Sequence, residues 1–172
     1  MDAILMSEKD CRARARSVRR ARTYALNEPP RLTLGEEAFN AATHGVGALL
    51  AVAGMVLLLL RSDGGLAVMA SCVYGISMIV MMGMSCVYHA MKTGSAAKRV
   101  CRRFDYMSIY LLIGGTFAPI FLVYQGTKLG IILFCVQWGV ILFGVTLIAV
   151  FGPGKWRPLH YTCLLYTSQT WL

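Results

Sequence analysis

Ser85 and His89 stand four residues apart near the end of a long apolar run, and Asp105 opens the next one. That spacing puts a hydroxyl and an imidazole on one face of a helix. A neutral imidazole is a metal ligand. A nearby carboxylate can accept a hydrogen bond from a metal-bound water, take a proton as general base, or orient the imidazole. A hydroxyl one turn away can hydrogen-bond an oxyanion or the same water. The preceding segment adds Glu37, Asn40 and His44, and a third histidine, His160, follows the loop "GPGKWRP". Three histidines, or two with a carboxylate, are the usual minimum for catalytic zinc. No histidine pair at three- or four-residue spacing supports such a site, so these residues alone do not close it. Plainer readings stand beside the chemical one. A histidine at a helix end can meet water or lipid phosphate, Asp105 can cap a helix beside Arg102 and Arg103, and Ser85 can bond back to the carbonyl one turn earlier.

The elements that would position these groups are transmembrane helices. Of 172 residues, 57% are hydrophobic and 15% charged, against about 25% charged in soluble domains. The apolar residues come in runs near the ~20 that cross a bilayer. The fold class is therefore all-α, a polytopic transmembrane helix bundle with four full spans and a partial fifth. Thr33 and Glu36 match the S/T-x-x-E capping box and start the first helix, amphipathic at first and wholly apolar from Val46 to Leu60. The second span runs from about residue 66 to 90, the third from about 104 to 124, and the fourth from about 129 to 151. Pro119, inside "GGTFAP", predicts a kink in the third. The fifth begins near Leu159, and about 14 residues cannot cross a ~30 Å hydrocarbon core at ~1.5 Å each.

Three regions follow: a basic leader over 1–32, a transmembrane domain over 33–162, and a tail over 163–172. Six arginines between residues 12 and 22 make the leader a flexible or weakly helical arm suited to an anionic membrane surface; a start codon assigned upstream of the true one would explain it as well. The tail opens on "CLLYTS", which resembles one reading frame of a transposase sequencing adaptor and is expected to be non-native. Six cysteines form no CxxC pair and read as small buried hydrophobes.

The net charge is +9, with eight of 17 Lys/Arg before residue 32 and five more between Met91 and Arg103. Only Arg61 and Lys128 occupy the two intervening loops. This alternation places the N-terminus and the even-numbered loops in the cytoplasm. His44, His89 and Asp105 then share the cytoplasmic end of three helices. The same rule explains the basic leader without nucleic acid as a partner; membrane lipids are the expected partners. No polar stripe runs along the third or fourth span, which argues against a wide aqueous pore.

"GEEAFNAATHGVGALLAVAG", "SCVYHA" and "KRVCRRFDYMSIYLLIGGTFAP", in that order, closely resemble the hemolysin III family, bacterial relatives of the progestin and adipoQ receptors. The resemblance covers about residues 33–162 and implies seven transmembrane helices in a bacterial plasma membrane, with the N-terminus cytoplasmic. It implies zinc as cofactor, with His89 a metal ligand and Asp105 and Ser85 catalytic neighbours. It further implies a His-x3-His motif late in the family fold, which this sequence lacks, so one expected ligand motif is missing and the site here is incomplete. The implied function is zinc-dependent hydrolysis of a lipid amide or membrane homeostasis. The alternative is a non-enzymatic membrane sensor or a pore-forming cytolysin.

Overall fold

The computed structural model describes residues 8–154 together with 158 and 162. Five α-helices follow in chain order: α1 (Glu8–Leu26), α2 (Leu34–Leu60), α3 (Gly65–Ala90), α4 (Ala96–Pro119) and α5 (Lys128–Phe151). Among the described residues there is no strand. The partial fifth span, His160 and the tail over 163–172 lie outside the described residues.

The leader forms a more regular helix than its charge suggested. Its 19 residues contain neither glycine nor proline, and alanine and arginine are strong helix formers. It stops at Asn27, where Pro29 and Pro30 disfavour continuation. The expected capping box starts α2. Thr33 N–H donates to Glu36 Oε2 at 2.8 Å, and Glu36 N–H donates back to Thr33 Oγ1 at 3.3 Å.

The start of α4 corrects the expected boundary. The helix begins at Ala96, not near Phe104, because Ser95 caps it by accepting from the Lys98 N–H at 3.0 Å. Lys98, Arg99, Arg102 and Arg103 are therefore helical rather than loop residues. Asp105 lies in the third turn, so it is not the N-cap. Pro119 ends α4, and a π-helical turn, Ile120–Tyr124, carries the chain to the next loop.

α2 packs on α3, α3 on α4, and α4 on α5. The short links between them make successive helices antiparallel neighbours. Close approach around α4 depends on small residues. A Cβ on Gly114 would come within 2.6 Å of Ile141 Cδ1, and one on Gly115 would collide with Ser77 Oγ. Tyr110, Ile141 and Ile148 form one core cluster, and Ala70, Ala118 and Leu122 another.

α2, α3, α5 and the continuous segment of α4 through Tyr124 are each long and apolar enough to cross a bilayer. Leu49, Leu57, Phe143 and Val150 are among many large apolar side chains left exposed on them. A monomeric soluble protein rarely exposes so much contiguous apolar surface. The cysteines correct another expectation: Cys11 and Cys135 are exposed, Cys72, Cys86 and Cys101 half-buried, and all five are free.

Candidate functional site

Three helices bring polar side chains to one end of the bundle. Glu37 lies in the capped first turn of α2, His89 in the last turn of α3, and Lys98 in the first turn of α4. Glu37 is 6% exposed and Lys98 is fully buried. Lys98 Nζ donates to Glu37 Oε1 at 2.7 Å and to the Met91 carbonyl at 3.1 Å. The ammonium also lies 4.9 Å from the Tyr88 ring centroid, a cation–π contact. The other carboxylate oxygen, Oε2, is 2.7 Å from His89 Nδ1.

This geometry sets the state of His89. An ionised carboxylate only accepts hydrogen bonds, so Nδ1 must carry the proton and donate it. In the neutral ring, Nε2 then keeps its lone pair. Glu37 thus binds a cation through one oxygen and orients an imidazole through the other.

A second polar layer lies one to two turns deeper. His44 is seven residues from Glu37, and Asp105 seven from Lys98. Seven residues are two turns, about 10 Å along the axis and on the same face. Ser85 is one turn inward of His89 and 3% exposed. The Ser85 hydroxyl lies beside the Asp105 carboxylate, which is also within electrostatic reach of His89, His44 and Arg102. The His44 and His89 rings meet edge to face, with centroids 5.8 Å apart. His44 Nδ1 is shielded from solvent and has no hydrogen-bond partner among the described residues.

Ser85, His89, Asp105, His44 and Glu37 are therefore all at one site. Asn40 lies between Glu37 and His44 on α2, half-buried, and no side-chain hydrogen bond is seen for it among the described residues. Lys98, Arg102 and Tyr88 were not anticipated. The signal for the first two was present: Ser95 is a good N-cap, and Lys98 and Arg102 are four apart. Arg102 is buried, and its Nη1 donates to the carbonyls of Asn27 at 3.0 Å and Glu28 at 2.8 Å. It fastens the end of the leader to α4.

The two imidazoles and Asp105 are of a type suited to zinc, and the shielded, unpartnered His44 Nδ1 is an available donor. They nonetheless do not converge into a ligand set. Among the described residues there is no group of three or more His, Cys, Asp or Glu that could hold a metal ion. The residues present therefore do not fit a complete zinc site.

Fold and site together define a multi-pass helical membrane protein with a polar, charge-paired cluster at one end of its bundle. The sequence model of the haemolysin-III related family matches residues 32–171. The chain belongs to this family. It is 31% identical over 140 residues to Hemolysin-3 of Bacillus cereus, a match covering 80% of this chain and 62% of that protein. It is also 31% identical over 143 residues to a Hemolysin-3 homolog of Bacillus subtilis, covering 81% and 65%. The chain thus spans less than two thirds of the length of these curated relatives. No solved structure matches it.

Proposed function

We propose that the cluster is part of the catalytic site of a zinc-dependent hydrolase acting on a lipid amide, in a protein of a bacterial plasma membrane. The observation that carries this reading is the partly buried 2.7 Å contact between Glu37 Oε2 and His89 Nδ1. Metal-ligating histidines generally donate their second ring nitrogen to a carboxylate, which fixes ring and tautomer. His89 would hold the metal through Nε2, with further ligands from outside the described residues. With its ligand set completed, zinc would supply a water acidic enough for hydrolysis near neutral pH. Glu37 would aim His89, Lys98 would balance the charge of Glu37, and Asp105, beside Ser85, would be the group placed to take a proton. The concentration of Lys/Arg at this end of the bundle supports a cytoplasmic site and N-terminus.

A non-enzymatic or cytolytic role is the second reading, favoured by the name of the relatives. Against a wide pore, Ser71, Ser77, Ser108 and Gln137 are buried between helices, while the exposed faces are apolar. Elemental analysis of the protein expressed from its complete natural gene tests the hydrolase reading. About one zinc per chain, lost in His89→Ala, supports it and justifies assay against lipid amides. A folded protein without zinc overturns it.

A further inference from the structure

The leader helix and α4 enclose a second site, away from the Glu37 cluster. Between them lies a cleft of about 590 Å³, a volume typical of small-ligand sites. Arg16, Arg19 and Arg20 face it from α1, and Arg99 and Arg103 from α4. Among the described residues no carboxylate lines it. Five guanidinium groups around one cavity repel one another unless an anion lies between them.

The cleft is a built feature of the fold. Arg102 clamps the carbonyls of Asn27 and Glu28 onto α4. Asn27 is itself buried, accepting from the Gly154 N–H at 3.0 Å and donating to the Phe151 carbonyl at 3.4 Å. Gly152 and Gly154 have no side chain to block this approach; a Cβ on either would strike Asn27 or the Leu26 carbonyl. The end of α1 is thereby tied to both α4 and the end of α5. α1 itself stands clear of the bundle, which opens the gap.

We propose that this cleft binds the phosphate headgroup of an anionic phospholipid. Guanidinium groups match phosphate oxygens in paired hydrogen bonds. Arg99 and Arg103 lie in the first two turns of α4, where a helix read as a membrane span begins. Thr23, Tyr24, Asn27, Ala96 and Val100 complete the wall, and Tyr24 and Val100 are exposed. A wall that is cationic and also apolar suits an amphiphile at a membrane interface better than a nucleic acid. Basic pockets beside membrane spans bind anionic headgroups in this way.

The test uses the full chain in neutral detergent, with bound lipid counted by native mass spectrometry. Dioleoyl phosphatidylglycerol is compared with dioleoyl phosphatidylcholine. Arg20→Gln/Arg99→Gln removes two charges from the cleft, and Arg14→Gln/Arg22→Gln removes two from the other face of α1. Arg20 is exposed and Arg99 half-buried, and neither belongs to the packed core clusters. The expected result is a preference for phosphatidylglycerol that falls about tenfold or more in the cleft pair and stays near wild type in the control pair. Equal loss in both pairs means diffuse attraction to α1 and overturns the site. No preference in the wild type does the same. Displacement of the lipid by equimolar glycerol phosphate or inorganic phosphate identifies a soluble anion and overturns the lipid assignment. Displacement by a single-stranded RNA oligonucleotide overturns it in favour of nucleic acid.

Discussion

Replacing Lys98 with methionine removes the only charge that neutralises Glu37 from α4, at nearly constant volume. At 2.7 Å the Coulomb attraction of the pair is about 6 kcal/mol for an effective dielectric near 20. Most of that offsets the several kcal/mol needed to strip water from each ion. The intact pair is thus worth little net, but a lone buried partner is expensive. Lys98 is fully buried and Glu37 is 6% exposed, so solvent does little to rescue either. Lys98→Met should therefore cost about 3–5 kcal/mol, and Glu37→Gln, which strands the ammonium, a similar amount. The double variant strands neither and should lose at least about 2 kcal/mol less than the sum. Unfolding by sodium dodecyl sulfate in mixed micelles, followed by circular dichroism, reads all four corners of the cycle. Additive losses would show that the two groups do not depend on each other and refute the reasoning.

Three other perturbations test other parts of the structure. Gly115→Ala places a methyl group against Ser77 and 3.1 Å from the Val73 carbonyl, and should cost about 1–3 kcal/mol in the same assay; Gly83→Ala, which meets open space, should be neutral or stabilising. Arg102→Ala removes two hydrogen bonds to the carbonyls of Asn27 and Glu28, about 3–6 kcal/mol together for a charged donor; trypsin should then cut the link between α1 and α2 faster than in wild type, and an unchanged rate would show that the clamp is not what holds it. Cys11 is exposed on α1, so a membrane-impermeant maleimide should label it in inside-out vesicles and not in intact cells; labelling in intact cells would reverse the orientation.

Local signals were legible in the sequence because each acts within a few residues. Thr33 and Glu36 form their capping box three residues apart, and Pro119 disturbs its own turn. The apolar runs of α2, α3 and α5 are long enough to identify as spans by composition alone. Ser85, His89 and Asp105 could be placed at one end of the bundle because short loops make successive spans antiparallel. α4 was misread at its start because apolarity was the criterion, and its first two turns carry four basic residues. A basic helix turn and a basic loop look alike in composition; Ser95 as N-cap was the available distinction.

Apolar run lengths and the placement of basic residues define the class of protein, its four membrane-crossing helices, and the end that carries the ionisable residues. Helix packing is what makes Glu37 hold both His89 and Lys98, partners 52 and 61 residues away. It also turns Arg102 inward to hold the leader while Arg99 and Arg103 line the cleft. The physical reason is that a buried charge is tolerable only beside its partner. Which residues become partners depends on how helices pack, through contacts such as Gly115 against Ser77, and no periodicity within one helix encodes that.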